Sequence, residues 1–181
     1  MLISAENSAL LVIDVQEKLL PGVFENESLV KNCEWLMKVA QLMEVPVLGS
    51  EQYPRGIGPS AEALRNLLPE EDFLPKTVFS CADDAQCMER IQGMDRDVIV
   101  ICGMEAHVCV LQTALRLKEE GKTVFVVADA ISARSALDTE YAIARMREEG
   151  IKIVTREMVG FEWVRRSDAP QFKTFSSEFL R

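Results

Sequence analysis

The stretch Ser8-Ala-Leu-Leu-Val-Ile-Asp14 decides the fold, because it is apolar on both faces and ends in a carboxylate. A strand that is apolar at every position is typical of the interior of a parallel sheet, whereas a strand with one solvated face alternates apolar and polar residues. Residues 98–102, Val-Ile-Val-Ile-Cys, form a second stretch of this kind. Both stretches predict buried, parallel central strands.

Apolar stretches of strand length alternate with segments of helical periodicity along the rest of the chain. Leu29, Cys33, Leu36 and Ala40 recur at steps of three and four residues, which predicts an amphipathic helix over 27–43. The alternation predicts an α/β fold, a single domain over 1–181 with a doubly wound, mostly parallel six-stranded sheet and helices on both faces. We expect strands at 8–14, 44–49, 74–79, 98–102, 123–128 and 151–155, further helices at 59–68, 83–92, 108–120 and 138–149, a loop over 51–59, and a strand break at Gly103.

Composition excludes several classes of protein. The chain has 181 residues, which suits one domain, and its net charge of −9 with scattered basic residues argues against nucleic-acid binding. Its apolar stretches are far shorter than the roughly 18 residues of a membrane span, so we expect no membrane partner. Residues 1–8 contain no Lys or Arg, so we predict no secretory signal and a cytoplasmic location.

Candidate catalytic residues follow from the fold, because ligands of a doubly wound sheet bind beyond the carboxyl ends of its strands. Asp14 ends the first strand and could act as a base or cap the next turn. Lys76 lies in an apolar, strand-like stretch, where a solvated edge lysine is the alternative. Cys109 lies in the first turn after strand 98–102, where the helix dipole lowers a thiol pKa, so it is a candidate nucleophile or a buried packing residue.

The loop after the second predicted strand supplies candidates for the mouth of the site. Glu51, Gln52, Tyr53 and Arg55 would line it and contact a small-molecule substrate. The only histidine, His107, cannot provide the histidine-rich shell of a catalytic zinc or iron site, and no phosphate-binding glycine motif occurs. We therefore predict neither a metal nor a cofactor, and we expect the odd number of cysteines to be free thiols.

Three ordered motifs resemble the isochorismatase-like, or cysteine hydrolase, superfamily. They are Leu11-Val-Ile-Asp14-Val-Gln16, Pro75-Lys76-Thr77 and Gly103-Met-Glu-Ala-His-Val-Cys109-Val-Leu-Gln-Thr113-Ala. Residues 51–59 and 127–135 narrow the resemblance to a branch like the isochorismatase domain-containing proteins. The similarity extends from about residue 8 to residue 161, and it implies the superfamily's hydrolase fold.

The resemblance also implies a mechanism. Cys109 would be the nucleophile, Asp14 the acid and base, and Lys76 the cation of a triad that cleaves an amide or ester through a thioester. A cis peptide between Met104 and Glu105 would direct the backbone amides of Glu105 and Cys109 at one oxyanion. The same motifs would place Gln16 and Met104 against the substrate.

Two departures leave alternatives open. Nicotinamidases of the superfamily bind a metal through an Asp and histidines after the second strand, where this chain reads Gly49-Ser-Glu-Gln-Tyr-Pro54, and isochorismatases proper lack the cysteine. A metal-independent amidase is therefore favoured over a metal-dependent, nicotinamidase-like one. The aromatic tail, 162–181, suggests contact between subunits, and relatives form dimers to octamers, so we expect a homo-oligomer. A catalytically idle oligomeric scaffold is the alternative from another class.

Overall fold

The computed structural model describes residues 1–180, which form one parallel sheet of six strands and confirm the predicted fold class. The strands are β1 (Ser8–Ile13), β2 (Val47–Gln52), β3 (Phe73–Lys76), β4 (Val98–Met104), β5 (Thr123–Ser132) and β6 (Lys152–Val154). Their order in the sheet is β3-β2-β1-β4-β5-β6, and the chain reverses its direction of travel between the neighbouring strands β1 and β4. Ligands bind at such a switch point in doubly wound sheets.

Helices connect the strands and cover both faces of the sheet. Over the described residues they are α1 (Asn26–Leu42), α2 (Pro54–Ile57), α3 (Glu62–Arg65), α4 (Ala85–Gly93), α5 (Leu111–Glu119), α6 (Ala136–Glu148), α7 (Arg156–Val164) and α8 (Phe172–Phe179). No helix within residues 1–180 combines the length and apolar character needed to cross a bilayer.

The alternation of side chains along the strands creates two separate cores. Leu10 and Val12 of β1 point towards α1, α3, α7 and α8, whereas Leu11 and Ile13 point towards α4, α5 and α6. Successive side chains of a strand point to opposite faces, so one strand feeds both cores. This explains why β1 is buried at every position and carries no polar alternation.

The strand break predicted at Gly103 is wrong, because β4 continues through this glycine to Met104. Its φ of +118° is a backbone conformation open to glycine, and a Cβ there would lie 2.2 Å from the carbonyl oxygen of Ile13. The glycine therefore lets the backbones of β1 and β4 approach each other directly before Asp14.

Several other predicted boundaries shift, among them that of the strand predicted at 44–49, which lies at Val47–Gln52. The predicted strand 74–79 ends at Lys76, and strand 123–128 continues as β5 to Ser132. The predicted helix 59–68 shrinks to the single turn of α3, and the predicted loop 51–59 contains the end of β2 and α2.

The aromatic tail folds back onto its own chain. Phe175 of α8 is fully buried, with its ring centroid 6.0 Å from that of Trp35 and 5.2 Å from that of Phe161. The Trp35 indole donates a hydrogen bond to the carbonyl of Phe179 at 2.9 Å. Phe175 therefore serves this chain's own core, and a role of the tail between subunits stays a prediction.

Candidate active site

Asp14 follows β1 at the switch point and is buried. Its backbone is left-handed, with a φ of 50°, and its N–H donates to the carbonyl of Ser50 at 3.1 Å. One carboxylate oxygen, Oδ1, accepts a hydrogen bond from the Ser50 hydroxyl at 2.7 Å. Residues in this conformation persist only where the surroundings hold them, and they cluster at functional sites.

Lys76 is the last residue of β3, and its side chain is fully buried rather than solvated at the sheet edge. Its Nζ donates to Asp14 Oδ2 at 2.7 Å, to Gln52 Oε1 at 2.6 Å and to the carbonyl of Val78 at 3.2 Å. An ammonium group has three donors, so all of them are occupied. The structure therefore rules out the alternative of a solvated lysine, although β3 is an edge strand of the sheet.

The charges around Lys76 keep it protonated. Burial alone lowers the pKa of Lys76, but the charge of the Asp14 carboxylate raises it above its ordinary value. Because Asp14 and Lys76 are both buried and bonded, each stabilises the charge of the other. The site thus contains a buried ion pair at the carboxyl edge of the sheet.

Cys109 lies in a π-helix, Ala106–Val110, between β4 and α5, and is 7% exposed. Burial, followed by the charge of Asp14, raises the pKa of the Cys109 thiol, and a hydrogen bond with Asp14 adds to this although Lys76 opposes it. The expectation that a helix start would lower this pKa is therefore wrong. The resting group is a neutral thiol beside a carboxylate that can accept its proton.

A second thiol, that of Cys81, lies beside the same ion pair and is not among the candidates that the sequence supplied. A hydrogen bond from the Cys87 thiol lowers the pKa of Cys81 and outweighs its burial, and the charge of Lys76 acts in the same direction as Cys87. The sequence position of Cys81, a few residues after β3, could have identified it as a candidate site residue, because the chain leaves the sheet there at its carboxyl edge.

The residues of the β2–α2 segment divide between the two sheet faces. The Gln52 side chain reaches Lys76 on the face of the ion pair, whereas that of Glu51 accepts from the Ser60 N–H at 2.6 Å. Glu51 lines a different cavity, of about 650 Å³, with residues that include Phe73 and Pro75. Alternation along β2 accounts for this, and it argues against Glu51 at the mouth.

Tyr53 and Arg55 lie where their place in the loop after β2 predicts, at an opening beside Lys76. They line a cavity of about 320 Å³ together with Pro54, Pro75, Lys76, Thr77 and Asp84. Tyr53 is half exposed and has a left-handed backbone, with a φ of 39°. A molecule bound in this cavity would therefore contact Tyr53 and Arg55.

Two further residues expected to contact substrate have other surroundings. Gln16 is fully buried, and its amide nitrogen donates to the carbonyls of Gln52 and Gly58 at 3.0 and 2.7 Å, so both amide hydrogens are in use. Met104 is fully buried in the core on the α1 face. The Gln16 side chain thus stabilises residues 52–58 by hydrogen bonds, and Met104 is a core residue. Both positions argue against substrate contact by these side chains.

Glu105 connects β4 to the π-helix, and the Met104–Glu105 peptide bond is cis. Its side chain pairs with Arg134 at 3.2 Å, and one of its oxygens lies 3.8 Å from His107 Nε2. The first backbone amides of a helical segment lack partners within it, and those of Glu105 and Cys109 occupy this position. Their role as an oxyanion hole stays a prediction.

The arrangement matches a known family. The family model described as isochorismatase domain matches residues 8–158. The chain belongs to the isochorismatase family. It is 35% identical over 174 residues to isochorismatase domain-containing protein 2 of Danio rerio, an alignment that covers 94% of this chain and 86% of the relative.

Two solved structures carry the same fold as this isochorismatase-family protein. The MAR1 ribonuclease of Caenorhabditis elegans superposes with a TM-score of 0.93 at 33% identity, covering all of this chain and 93% of that one. The YcaC gene product of Escherichia coli, an octameric hydrolase of unknown specificity, superposes with a TM-score of 0.92 at 24% identity, covering 99% and 91%. The protein therefore has the isochorismatase-family hydrolase fold.

The metal sites of some superfamily members have no counterpart in the side chains found here. Ser50 and Gln52 face the ion pair from the end of β2, and neither is a carboxylate or an imidazole. Across residues 1–180, no group of three or more His, Cys, Asp or Glu side chains is arranged to hold a metal ion. The metal-independent interpretation is based on the side chains present at the end of β2, a serine hydroxyl and a glutamine amide.

Proposed function

We propose that this isochorismatase-family protein is a metal-independent cysteine hydrolase that cleaves a small amide or ester. The observation that carries the proposal is the buried Asp14–Lys76 pair, 2.7 Å between Oδ2 and Nζ, beside the thiol of Cys109. A nucleophile, a base within reach of its proton and a group that orients the base are the parts that covalent catalysis requires.

The reaction begins with the neutral thiol. Asp14 takes the proton of Cys109 as the sulfur attacks the carbonyl carbon, and the carbonyl oxygen becomes an oxyanion at the backbone amides of Glu105 and Cys109. The carbon–nitrogen or carbon–oxygen bond then breaks, and Asp14 returns the proton to the leaving amine or alkoxide. Water, activated by the same carboxylate, cleaves the thioester and regenerates the thiol.

Lys76 acts in this scheme through its charge. Its three N–H donors are bonded to Asp14, Gln52 and the carbonyl of Val78, so none is free to bind a substrate oxygen. Its positive charge opposes the effect of Asp14 on the Cys109 thiol and thus favours the thiolate as it forms. Lys76 therefore pairs with the Asp14 carboxylate and stabilises the developing sulfur anion from a fixed position.

The substrate we propose is a small molecule that enters beside Tyr53 and Arg55. The cavity they line, about 320 Å³, is at the lower end of the usual size of small-molecule sites. The similar structure from Caenorhabditis elegans is named a ribonuclease, and that name applies to the Caenorhabditis elegans protein. The net charge of −9 opposes binding of a phosphate backbone, so we favour a small carbonyl compound over RNA.

A panel of linear amides and esters, with p-nitrophenyl acetate included, tests this function. We expect turnover by the unmodified protein and none by the Cys109→Ala variant. The matched control is Cys33→Ala, because Cys33 is a buried thiol on the other sheet face. Undiminished turnover by Cys109→Ala would refute the mechanism, whereas no turnover of any compound by the unmodified protein would favour the idle scaffold.

We also propose that the protein works as a homo-oligomer of two or more copies. The support is the octameric assembly named for the Escherichia coli relative and the exposed Phe161 ring beside the tail. Isologous contact through such a surface gives a dimer, and further contacts give larger closed assemblies.

A further inference from the structure

Ser50 contacts Asp14 twice, from the neighbouring strand. Residues 13 and 50 pair in register between β1 and β2, and the Ser50 carbonyl accepts from the Asp14 N–H at 3.1 Å. The Ser50 hydroxyl donates to Asp14 Oδ1 at 2.7 Å. Both residues are about 1% exposed, so little water competes for this hydrogen bond.

The two contacts have different consequences. The backbone bond helps to hold the left-handed conformation of Asp14, and any residue at position 50 could supply its carbonyl. The hydroxyl bond fixes the plane of the carboxylate, because the terminal torsion of an Asp side chain has broad minima and does not set an orientation by itself. With Oδ1 on Ser50 and Oδ2 on Lys76, the carboxylate is held at both oxygens.

We propose that Ser50 is a positioning residue whose hydroxyl holds the Asp14 carboxylate in the orientation that pairs with Lys76 and receives the Cys109 proton. The inference rests on the proposed function. Small misplacements of a catalytic group lower rates severely, by up to about a hundredfold for 1 Å. A carboxylate held only by Lys76 can rotate about its terminal torsion and lose its alignment with the thiol.

The other groups that face Asp14 remain in place when the hydroxyl is removed. They are Lys76 from β3, Cys109 from the π-helix and Cys81 from the turn after β3. Removal of the hydroxyl therefore frees Oδ1 of the carboxylate and changes no other neighbour of Asp14.

The test compares Ser50→Ala with Ser50→Thr and Ser8→Ala, using p-nitrophenyl acetate hydrolysis as the probe. For Ser50→Ala we expect kcat to fall about tenfold while KM stays nearly unchanged. Ser50→Thr keeps the hydroxyl and should restore kcat. Ser8 is a matched control, because it is a buried serine at the other end of β1 that accepts from the Trp163 indole at 2.8 Å.

A Ser50→Ala enzyme with the wild-type kcat would overturn the inference, as would an equal loss of kcat in Ser8→Ala. Ser50→Cys, of similar size with a weaker donor, should give an intermediate kcat, and it replaces Ser50→Ala if that variant does not fold. Cys109→Ala and Asp14→Asn separate this inference from the proposed function. If they stay active the function fails, whereas if they are inactive and Ser50→Ala matches wild type, only the role of Ser50 fails.

Discussion

Replacement of Asp14 by Asn should have opposite effects on two reactions of Cys109. Asn keeps the shape of the side chain but removes a negative charge beside the thiol, while the Lys76 side chain stays in place. Turnover of an amide should be lost, because no group then takes up and returns the proton. Simple alkylation of Cys109 should become faster, because the Asp14 charge that raises the thiol pKa is gone and Lys76 now favours the thiolate.

The size of the second effect follows from the charges at the site. Two unit charges about 4 Å apart, at an effective dielectric constant of about 20, interact by ~4 kcal/mol, close to a thousandfold change in the thiolate fraction. A less basic thiolate is also a weaker nucleophile, and this removes about half of the gain on a logarithmic scale. We therefore expect alkylation about 30-fold faster than in the unmodified protein.

Mass spectrometry of acrylamide-treated protein at pH 7.5 measures the rate, with peptide mapping to assign the adduct to Cys109. Glu51→Gln is the control, because Glu51 is a carboxylate at the end of β2 whose side chain faces the other side of the sheet. It should leave both reactions unchanged. An Asp14→Asn protein that is alkylated no faster than wild type, or that still hydrolyses amides, would refute the reasoning.

Three further changes test the remaining parts of the site and fold. Lys76→Met leaves the Asp14 carboxylate buried without its partner and should lower the free energy of unfolding in urea by about 3 to 5 kcal/mol. Most of the lost stability should return when Asp14→Asn is added. A double variant as unstable as Lys76→Met would contradict the buried pair. Gly103→Ala should lower the unfolding free energy by roughly 2 to 4 kcal/mol, since its Cβ meets the backbone of Ile13, and an unchanged melting temperature would exclude the close approach. Deletion of residues 168–181 should lower the oligomeric state measured by sedimentation velocity. It should also lower the stability of the fold, because Phe175 is buried. Unchanged sedimentation would exclude the tail as a subunit contact.

Much of the fold could be predicted because its central strands are apolar at every position. This burial pattern in β1 and β4 required a sheet covered on both faces, and the rule that ligands lie beyond strand ends selected Asp14 from its place in the sequence. The family motifs added the roles of Lys76 and Cys109. These features are local in sequence, which is why the residues alone reveal them.

The features that escaped prediction depend on contacts between distant segments. Lys76 is buried because Asp14, from another strand, compensates its charge, and nothing near Lys76 in the sequence shows this. The different positions of Glu51 and Gln52 follow from the end of β2, which the sequence placed too early. The raised pKa of Cys109 results from burial and a carboxylate that the fold brings together, and these two effects outweigh that of the helix start.

The site of acylation tests the central claim most directly, because two thiols lie beside the same ion pair. The protein is mixed with p-nitrophenyl acetate, quenched in acid within the first turnover and digested, and the acetyl group is located by peptide mass spectrometry. The proposed mechanism predicts a transient acetyl group on Cys109 that disappears as product forms. An acetyl group on Cys81 instead, or no covalent intermediate while product accumulates, would contradict it.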